Sequence, residues 1–226
     1  RRNHPHDPRM KPAARKKPAN AEGRIRARNH ARILDAAITI FTQKGYDGTT
    51  IAEIAAAAGL PKANVYYYFK TKKAIYTTLV ANLIDQWDAA LDNLRSDRDP
   101  AEALAGYIRA KLEFSRLHAA QSQMFASEVV HGGRFLTRAN LRHMHAITLE
   151  KVKVGRAWAR AGKMDPVDPI HLFILLWGST QYYADFEVMA VNELGRRRVR
   201  PADFDKAAET ITAIVLKGCG VRTKPR

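Results

Sequence analysis

Apolar residues recur along most of the chain at the three- and four-residue spacing that is typical of amphipathic helices. One such series contains Ile33, Ala37 and Phe41 and ends before Gly45. Runs of alternating apolar and polar residues bounded by hairpin turns, which would indicate strands, are lacking in the sequence. We therefore predict an all-α protein with about nine helices.

The predicted helices are separated by glycines, prolines and short polar segments, which are typical of helix ends. They span residues 24–45, 50–58, 61–68, 71–95, 101–118, 121–130, 134–161, 167–192 and 203–218. Thr50 and Glu53 have the spacing of a capping box, in which two side chains satisfy backbone N–H groups at a helix start. Pro61 suits the first turn of the third helix, where its missing N–H is not needed, and Thr71 is placed to cap the fourth.

The charge of the chain favours an anionic partner. The sequence contains 38 Lys and Arg against 22 Asp and Glu, which gives a formal net charge of +16. Such a charge favours binding to nucleic acid or to another anionic surface. Residues 1–23 contain four prolines, seven basic residues and one large apolar residue. We predict that this range is a disordered basic arm, because it cannot bury enough apolar surface to offset the entropy of ordering.

Apolar runs and cysteine content bear on where the protein acts. The longest strongly apolar run, residues 170–177, is too short to cross a bilayer, and the N-terminus lacks the apolar segment of a signal peptide. Cys219 is the only cysteine, so the chain cannot form an internal disulfide that would indicate an oxidising compartment. We therefore expect a cytoplasmic protein without a membrane partner.

Residues 50–69 have the pattern of two short helices joined by a tight turn. Ile54 would pack the first helix inward, and Gly59 would allow the turn. Val65 and Phe69 would hold the second helix from behind. This pattern predicts a helix-turn-helix, whose second helix enters the major groove of DNA.

The outer face of the second helix carries groups that can read DNA. Lysine can donate to guanine or phosphate, asparagine can pair with adenine, and tyrosine hydroxyls can donate to phosphates. The candidates on this face are Lys62, Asn64, Tyr67, Tyr68 and Lys72. The alternative is that the aromatic residues are core, and for Tyr66 and Phe69 the two interpretations have equal weight.

Residues 27–87 resemble the DNA-binding domain of the TetR family of transcriptional regulators, most clearly in the segments 45–55 and 58–72. Pro61 and Lys73 depart from the family pattern, which usually has Ser or Thr and an acidic residue at these positions. The resemblance implies base contacts by Lys62, Ala63 and Asn64, and phosphate contacts by Thr49, Thr50, Tyr67, Tyr68 and Lys72. Tyr66 remains a further candidate for DNA contact.

The resemblance to the TetR family also implies a homodimer that binds a palindromic operator in double-stranded DNA. In this family the last two helices usually form the dimer interface, which corresponds to parts of 167–192 and 203–218 in this chain. An apolar stripe in the last helix suits this role and contains Ile211, Ile214, Val215 and Leu216. From periodicity alone, the stripe fits an intrachain core equally well.

Trp177, Gln181 and Asp185 are spaced four residues apart and therefore share one helix face. An indole, an amide and a carboxylate in a mostly apolar helix suit a flat heterocyclic ligand, because the amide can match the N–H and C=O edge of uracil or thymine. The segments 107–116 and 168–186 also resemble a pyrimidine-responsive regulator of the TetR family. Lys111 and Ser115 are weaker candidates for this site.

Phe125 and Glu128 are weaker candidates again for the same effector site. The alternative is an internal polar network, in which Gln181 or Asp185 pairs with Lys111, Ser115 or Arg109.

The sequence shows no constellation for catalysis, metal binding or a bound cofactor, so we do not predict an enzyme. The predicted division is a basic arm (1–23), a DNA-binding domain (24–87), a ligand-binding and dimerisation domain (88–220) and a basic tail (221–226). The predicted function is a transcriptional regulator, usually a repressor in this family, that is controlled by a small molecule such as uracil or thymine. The alternatives are control by another ligand and a nonspecific architectural DNA-binding protein.

Overall fold

The computed structural model describes residues 19–221, with side chains from residue 22 onward, and this part contains helices and no strands. Its ten helices are α1 Ala19–Lys44, α2 Ile51–Ala57, α3 Lys62–Tyr68, α4 Lys72–Leu91, α5 Pro100–Leu117, α6 Ala119–Val130, α7 Arg138–Arg160, α8 Pro169–Asp185, α9 Glu187–Glu193 and α10 Pro201–Gly218. The predicted all-α fold class is confirmed, with ten helices in the described residues instead of about nine.

The additional helix arises because the predicted helix 167–192 is interrupted at Phe186, which separates α8 from α9. In a continuous helix the carbonyl of Ala184 would accept the N–H four residues later. Here that carbonyl accepts a hydrogen bond from Gln123 Nε2 at 2.8 Å. The interruption could not be predicted from the local sequence, because no glycine or proline marks it.

Several further boundaries differ from the prediction, among them the end of the fourth helix, which lies at Leu91 instead of residue 95. Residues 19–23, which were predicted to belong to the arm, are helical. Glu22 in the first turn stabilises this helix start, because its negative charge interacts favourably with the helix dipole. The helix predicted from residue 134 begins at Arg138, because Thr137 caps it by accepting from Asn140 N at 3.1 Å. Val221, assigned to the tail, is buried against the core. The rest of the predicted arm (1–18) and tail (222–226) lies outside the described residues.

The buried side chains form two clusters that meet along α4. The first cluster joins α1–α3, which we call the N-terminal head, to the first part of α4 and to α6, and it includes Ile54, Val65 and Phe125. The second cluster is formed mainly by α5, α7, α8 and α10. We call α5–α10 the C-terminal domain. Since α4 supplies Leu79 to the first cluster and Leu91 to the second, it connects the two parts.

Helix α5 is the central helix of the C-terminal domain, and no described helix could span a membrane. Helix α5 packs against both α8 and α10, so it lies at the centre of the C-terminal domain. No helix within residues 19–221 combines the length and apolar character needed to cross a membrane.

Candidate DNA-binding surface and effector site

Helix α3 presents its predicted DNA-reading residues to solvent. Lys62, Ala63 and Asn64 are exposed at its N-terminal end. Val65 and Phe69 are buried, as the helix-turn-helix pattern predicts, and they hold the opposite face of the helix against the head. The exposed end therefore offers an ammonium and an amide on a helix fixed from behind.

The turn between α2 and α3 is held by α1. Gly59 has φ of 61°, a left-handed conformation that favours glycine. Arg32 Nη2 donates to the carbonyl of Ala58 at 2.6 Å. A Cβ atom at Gly59 would lie 2.9 Å from the same Nη2, so a larger residue would displace this guanidinium.

The three tyrosines of α3 differ in their surroundings. Tyr67 is 63% exposed, and the Arg26 guanidinium lies 5.8 Å from the centre of its ring. Tyr66 is 40% exposed and lies near the Lys62 ammonium. Tyr68 is half-buried and contacts His30 edge-on. The side chains of Tyr66 and Tyr67 are therefore accessible for contact with DNA, whereas Tyr68 belongs partly to the core.

The loop before α2 uses three of the predicted phosphate-contacting residues for its own structure. Thr49 is buried, and its hydroxyl donates to the carbonyl of Gly45 at 2.7 Å. Thr50 caps α2 and forms the predicted capping box with Glu53. Lys72 Nζ donates to the carbonyls of Tyr46 and Thr49 at 2.6 and 2.7 Å. Phosphate contact by Thr49 or Lys72 remains a prediction that would require these hydrogen bonds to break.

The predicted effector trio lies on α8 with three different environments. Trp177 is half-buried, and its Nε1 donates to the Tyr107 hydroxyl at 3.0 Å. Asp185 accepts a hydrogen bond from the Ser122 hydroxyl. The half-buried Gln181 amide has no hydrogen-bond partner among the residues that the structure describes. Of the predicted alternative, an internal polar network, the described residues contain an electrostatic interaction between Asp185 and Lys111, but no hydrogen bond joins Gln181 or Asp185 to Lys111, Ser115 or Arg109.

Lys111 is 2% exposed, although its side chain carries an ammonium group. Its Nζ lies 4.4 Å from the centre of the Trp87 ring, and no atom of the described residues accepts a hydrogen bond from it. Burial lowers the pKa of Lys111 to about 7, against the opposing effect of Asp185. Burial also raises the pKa of Asp185, although Ser122 and Lys111 oppose this shift.

Two further polar atoms, one of them on the ring beside Lys111, lack partners. Trp87 Nε1 and Gln121 Oε1 are buried without a hydrogen-bond partner in the described part of the chain. The ring of Trp87 packs edge-on against Phe125 at 4.7 Å between ring centres, and Gln121 lies one turn before Phe125 on α6. Ser115, in contrast, is satisfied by the carbonyl of Thr180 at 3.0 Å.

Trp87, Tyr107 and Gln121 are further candidates that the sequence did not suggest; the first two line one crevice with Trp177, and the third has an unpaired buried amide oxygen. They lie on three helices other than α8, so no local spacing connects them with Trp177. Trp87 was visible in the sequence only as one member of an apolar helix stripe. For Gln121 the sequence gives one indication of a polar site, because its amide lies at the start of α6, before the apolar residues of that helix.

Space beside these groups is small in this structure. A crevice of about 20 Å³ lies between α4 and α7, and its lining includes Trp87, Tyr107, Met144 and Trp177. This volume suits one water molecule. A planar ring would fit in this crevice only after a displacement of the helices that line it.

Exposed apolar residues of α8 and α10 form the candidate dimer face. Ile174 and Leu175 on α8 are more than half exposed, and so is Ile214 on α10. Val215 and Leu216 are buried within the chain instead. The apolar stripe of the last helix is thus divided, with Val215 and Leu216 in the intrachain core and Ile214 on the surface.

Comparisons with known proteins decide the family. Residues 33–79 match the profile described as bacterial regulatory proteins of the tetR family. Residues 80–222 match the profile described as YcdC-like protein, C-terminal region. The chain is 36% identical over 186 residues to the HTH-type transcriptional regulator RutR of Escherichia coli K12, and this match covers 82% of the chain and 88% of RutR. The chain belongs to the TetR family. It is a transcriptional regulator of this type.

Solved structures of TetR-family proteins share the fold. A regulator of the tetR family from Rhodococcus RHA1 has a TM-score of 0.68 at 21% identity, covering 86% of this chain and 98% of that one. AibR in complex with isovaleryl coenzyme A and operator DNA has a TM-score of 0.61 at 18% identity, covering 82% and 97%. These identities support the TetR fold and no finer property.

Proposed function

We propose that the protein represses transcription by binding a palindromic operator as a homodimer, and that uracil, thymine or a similar planar ligand controls this binding. The observation that carries the ligand proposal is the buried Lys111, whose ammonium has no hydrogen-bond acceptor among the described residues. A buried charge without hydrogen bonds is costly, so its retention favours a ligand that supplies an acceptor.

Lys111 and the other candidate polar groups of α4, α6 and α8 suit the chemistry of a pyrimidine. The Lys111 ammonium and Trp87 Nε1 can donate to ring carbonyl oxygens. Gln121 Oε1, the Gln181 amide and Asp185 can accept from ring N–H groups. The aromatic rings of Trp87 and Trp177 can border a flat heterocycle. Donors and acceptors are therefore both present, as the alternating edge of uracil requires.

The DNA-binding proposal places α3 of each protomer in the major groove. Lys62 and Asn64 would contact base edges from the exposed start of α3, while Tyr66 and Tyr67 would contact the backbone. One helix of this length reads few bases, so two copies on a symmetric operator are needed for a useful site. The apolar surface of α8 and α10 supports the pairing of two chains. We propose that this takes place in the cytoplasm.

The ligand is tested by thermal unfolding of the purified protein with uracil, thymine, cytosine, hypoxanthine or xanthine. A ligand present at about 100 times its Kd stabilises the folded state by about 2.7 kcal/mol. We expect an increase in Tm with uracil or thymine, and its loss in Gln181→Ala. Gln43→Ala on the exposed surface of α1 is the matched control and should keep the response. An unchanged Tm with every base would refute control by a pyrimidine.

DNA reading is tested after an operator has been selected from random DNA. Asn64→Ala should weaken binding to the selected operator far more than binding to unrelated DNA, because base contacts carry the specificity. Asn192→Ala, an exposed change on α9, serves as the control. If the selection yields no preferred sequence and affinity depends on salt alone, the protein is an architectural DNA-binding protein instead.

A further inference from the structure

A cavity separate from the crevice beside Trp177 lies where the N-terminal head meets α4 and α6. Its volume is about 350 Å³, and its lining includes Lys44, Tyr46, Tyr76, Glu128, Arg134 and Phe135. Ligand pockets usually have volumes of about 300 Å³ or more, so this space can hold a small organic molecule. Between Tyr76 and Trp87, helix α4 advances by about 16 Å. We call this space the junction cavity.

The floor of the junction cavity is buried, and its rim is exposed. Glu128 on the floor is 5% exposed, and Tyr76 and Phe135 beside it are buried as well. On the rim, the side chains of Arg134 and Asp47 are 64% and 84% exposed. A molecule that enters from solvent can therefore reach a carboxylate that the chain itself encloses.

The enclosed carboxylate of Glu128 has no cationic partner in the described part of the chain. Its Oε2 accepts a hydrogen bond from the Tyr76 hydroxyl at 3.2 Å, and its Oε1 accepts from the backbone N–H of Phe135. Both donors are neutral. A carboxylate can accept about four hydrogen bonds, so about two acceptor positions remain free. Since burial of an unpaired charge is costly, the position favours a ligand that brings a positive charge.

The basic side chains of the rim are paired with other carboxylates. Lys44 Nζ lies 2.6 Å from the Glu53 carboxylate. Arg134 Nη1 lies 3.3 Å from the Asp47 carboxylate. An anionic ligand would have to compete with these two carboxylates, and the charge of Glu128 would repel it. The charges around the junction cavity therefore favour a cation over an anion.

Aromatic rings form a wall of the junction cavity beside Glu128. The centre of the Phe135 ring lies 4.2 Å from that of Tyr46 and 4.8 Å from that of Tyr76. Aromatic faces attract cations within about 6 Å of their centres. The Arg134 guanidinium already lies 5.5 Å from the Tyr46 ring and 5.0 Å from the Phe135 ring. The rings therefore suit the apolar body of a cationic ligand, with which Arg134 competes.

We propose that the junction cavity is a second ligand site, which binds a small organic cation such as a primary amine. The ammonium group pairs with Glu128, and the apolar body of the molecule lies against the rings of Tyr46, Tyr76 and Phe135. The proposal does not depend on the identity of the effector near Trp177, because the junction cavity and that crevice have no lining residue in common.

The test is isothermal titration calorimetry of the full chain with phenethylamine and with butylamine. Phenethyl alcohol and hydrocinnamate are the neutral and anionic analogues of the first amine. We expect binding of the amines at millimolar concentration and no binding of the two analogues, because only the amines can pair with Glu128. Glu128→Gln should weaken amine binding by about tenfold or more, since one partner of a buried charge pair is lost. Absence of binding by both amines to the wild-type chain would overturn the proposal.

Glu150→Gln is the matched control, because it changes the net charge equally by removing an exposed carboxylate on α7. Its affinity for the amines should equal that of the wild type. Thermal unfolding shows whether Glu128→Gln folds, and Arg134→Gln provides a second variant at an exposed side chain. Arg134→Gln should raise the affinity several-fold, because it removes the competing cation. Amine binding that persists in folded Glu128→Gln, or that Arg134→Gln weakens, would overturn the role of the junction cavity.

Hydrogen exchange of backbone amides locates the bound amine. Exchange should slow at residues 45–48 and 131–135, which border the junction cavity, and should remain unchanged at residues 177–181. Protection confined to residues 177–181, or displacement of the amine by uracil, would place the amine in the crevice and overturn the second site. If no base raises the Tm but the amine protects residues 45–48, only the pyrimidine proposal fails. If uracil raises the Tm but no amine binds, only the junction cavity proposal fails.

Discussion

Replacement of Lys111 by methionine tests whether a buried ammonium weakens the folded protein near neutral pH. The pKa of Lys111 is lowered from an ordinary value of 10.5 to about 7 by burial. Between these two values the unfolded chain carries a proton on this side chain that most of the folded molecules have lost. The free energy of unfolding therefore rises with pH, by up to about 1.4 kcal/mol per pH unit from this group.

Between about pH 7.5 and 9.5, this slope amounts to a gain of about 2–3 kcal/mol in the wild-type protein. Lys111→Met lacks the titrating group. Its free energy of unfolding should therefore rise about 2–3 kcal/mol less than that of the wild type over the same pH range. The variant should also be more stable than the wild type at the acidic end, because no buried charge has to be neutralised.

The assay is urea unfolding at a fixed protomer concentration at several pH values, since the proposed dimer would make stability depend on concentration. Lys153→Met is the matched control, because it removes a lysine whose side chain is exposed on α7. Parallel curves of stability against pH for the wild type and Lys111→Met would refute the lowered pKa. Such a result would also contradict the argument that the buried Lys111 ammonium favours a ligand that supplies a hydrogen-bond acceptor.

Three further predictions concern the head and the dimer face. Lys72→Met should lower the free energy of unfolding by about 1–3 kcal/mol in urea, because two loop carbonyls lose their donor, whereas exposed Lys73→Met should change it little. Thr50→Ala should cost about 1 kcal/mol in the same assay, and an unchanged stability would show that the capping box of α2 is dispensable. Leu175→Asp should shift the protein toward monomer in sedimentation velocity, whereas Leu141→Asp on α7 should not; a dimer that survives Leu175→Asp places the interface elsewhere.

The helix-turn-helix was predictable because its signals are local. The capping box of Thr50 and Glu53, the turn glycine at position 59 and the buried Val65 all lie within one short segment. Each of these features is determined by residues that lie within a few positions of one another in the sequence. Periodicity therefore identified both short helices and the face of α3 that packs inward.

Long-range partners could not be predicted from spacing. Lys72 suited a phosphate contact by sequence, but its acceptors are carbonyls more than twenty residues earlier in the chain. Asp185 was assigned correctly to one face of α8, yet its partner Ser122 lies on α6. By sequence Lys111 is a weaker candidate, because spacing alone does not show that its ammonium is enclosed. These features depend on the tertiary packing of helices.

The contacts of Arg32 and Lys72 have a consequence for the thermodynamics of DNA recognition. Arg32 fixes the turn between the two short helices, and Lys72 fixes the loop that precedes them, both within the unbound chain. Residues 45–70 therefore need no folding step when they meet the operator. The heat capacity change on operator binding should then reflect only the surface buried between protein and DNA, without the larger contribution that ordering of the polypeptide would add.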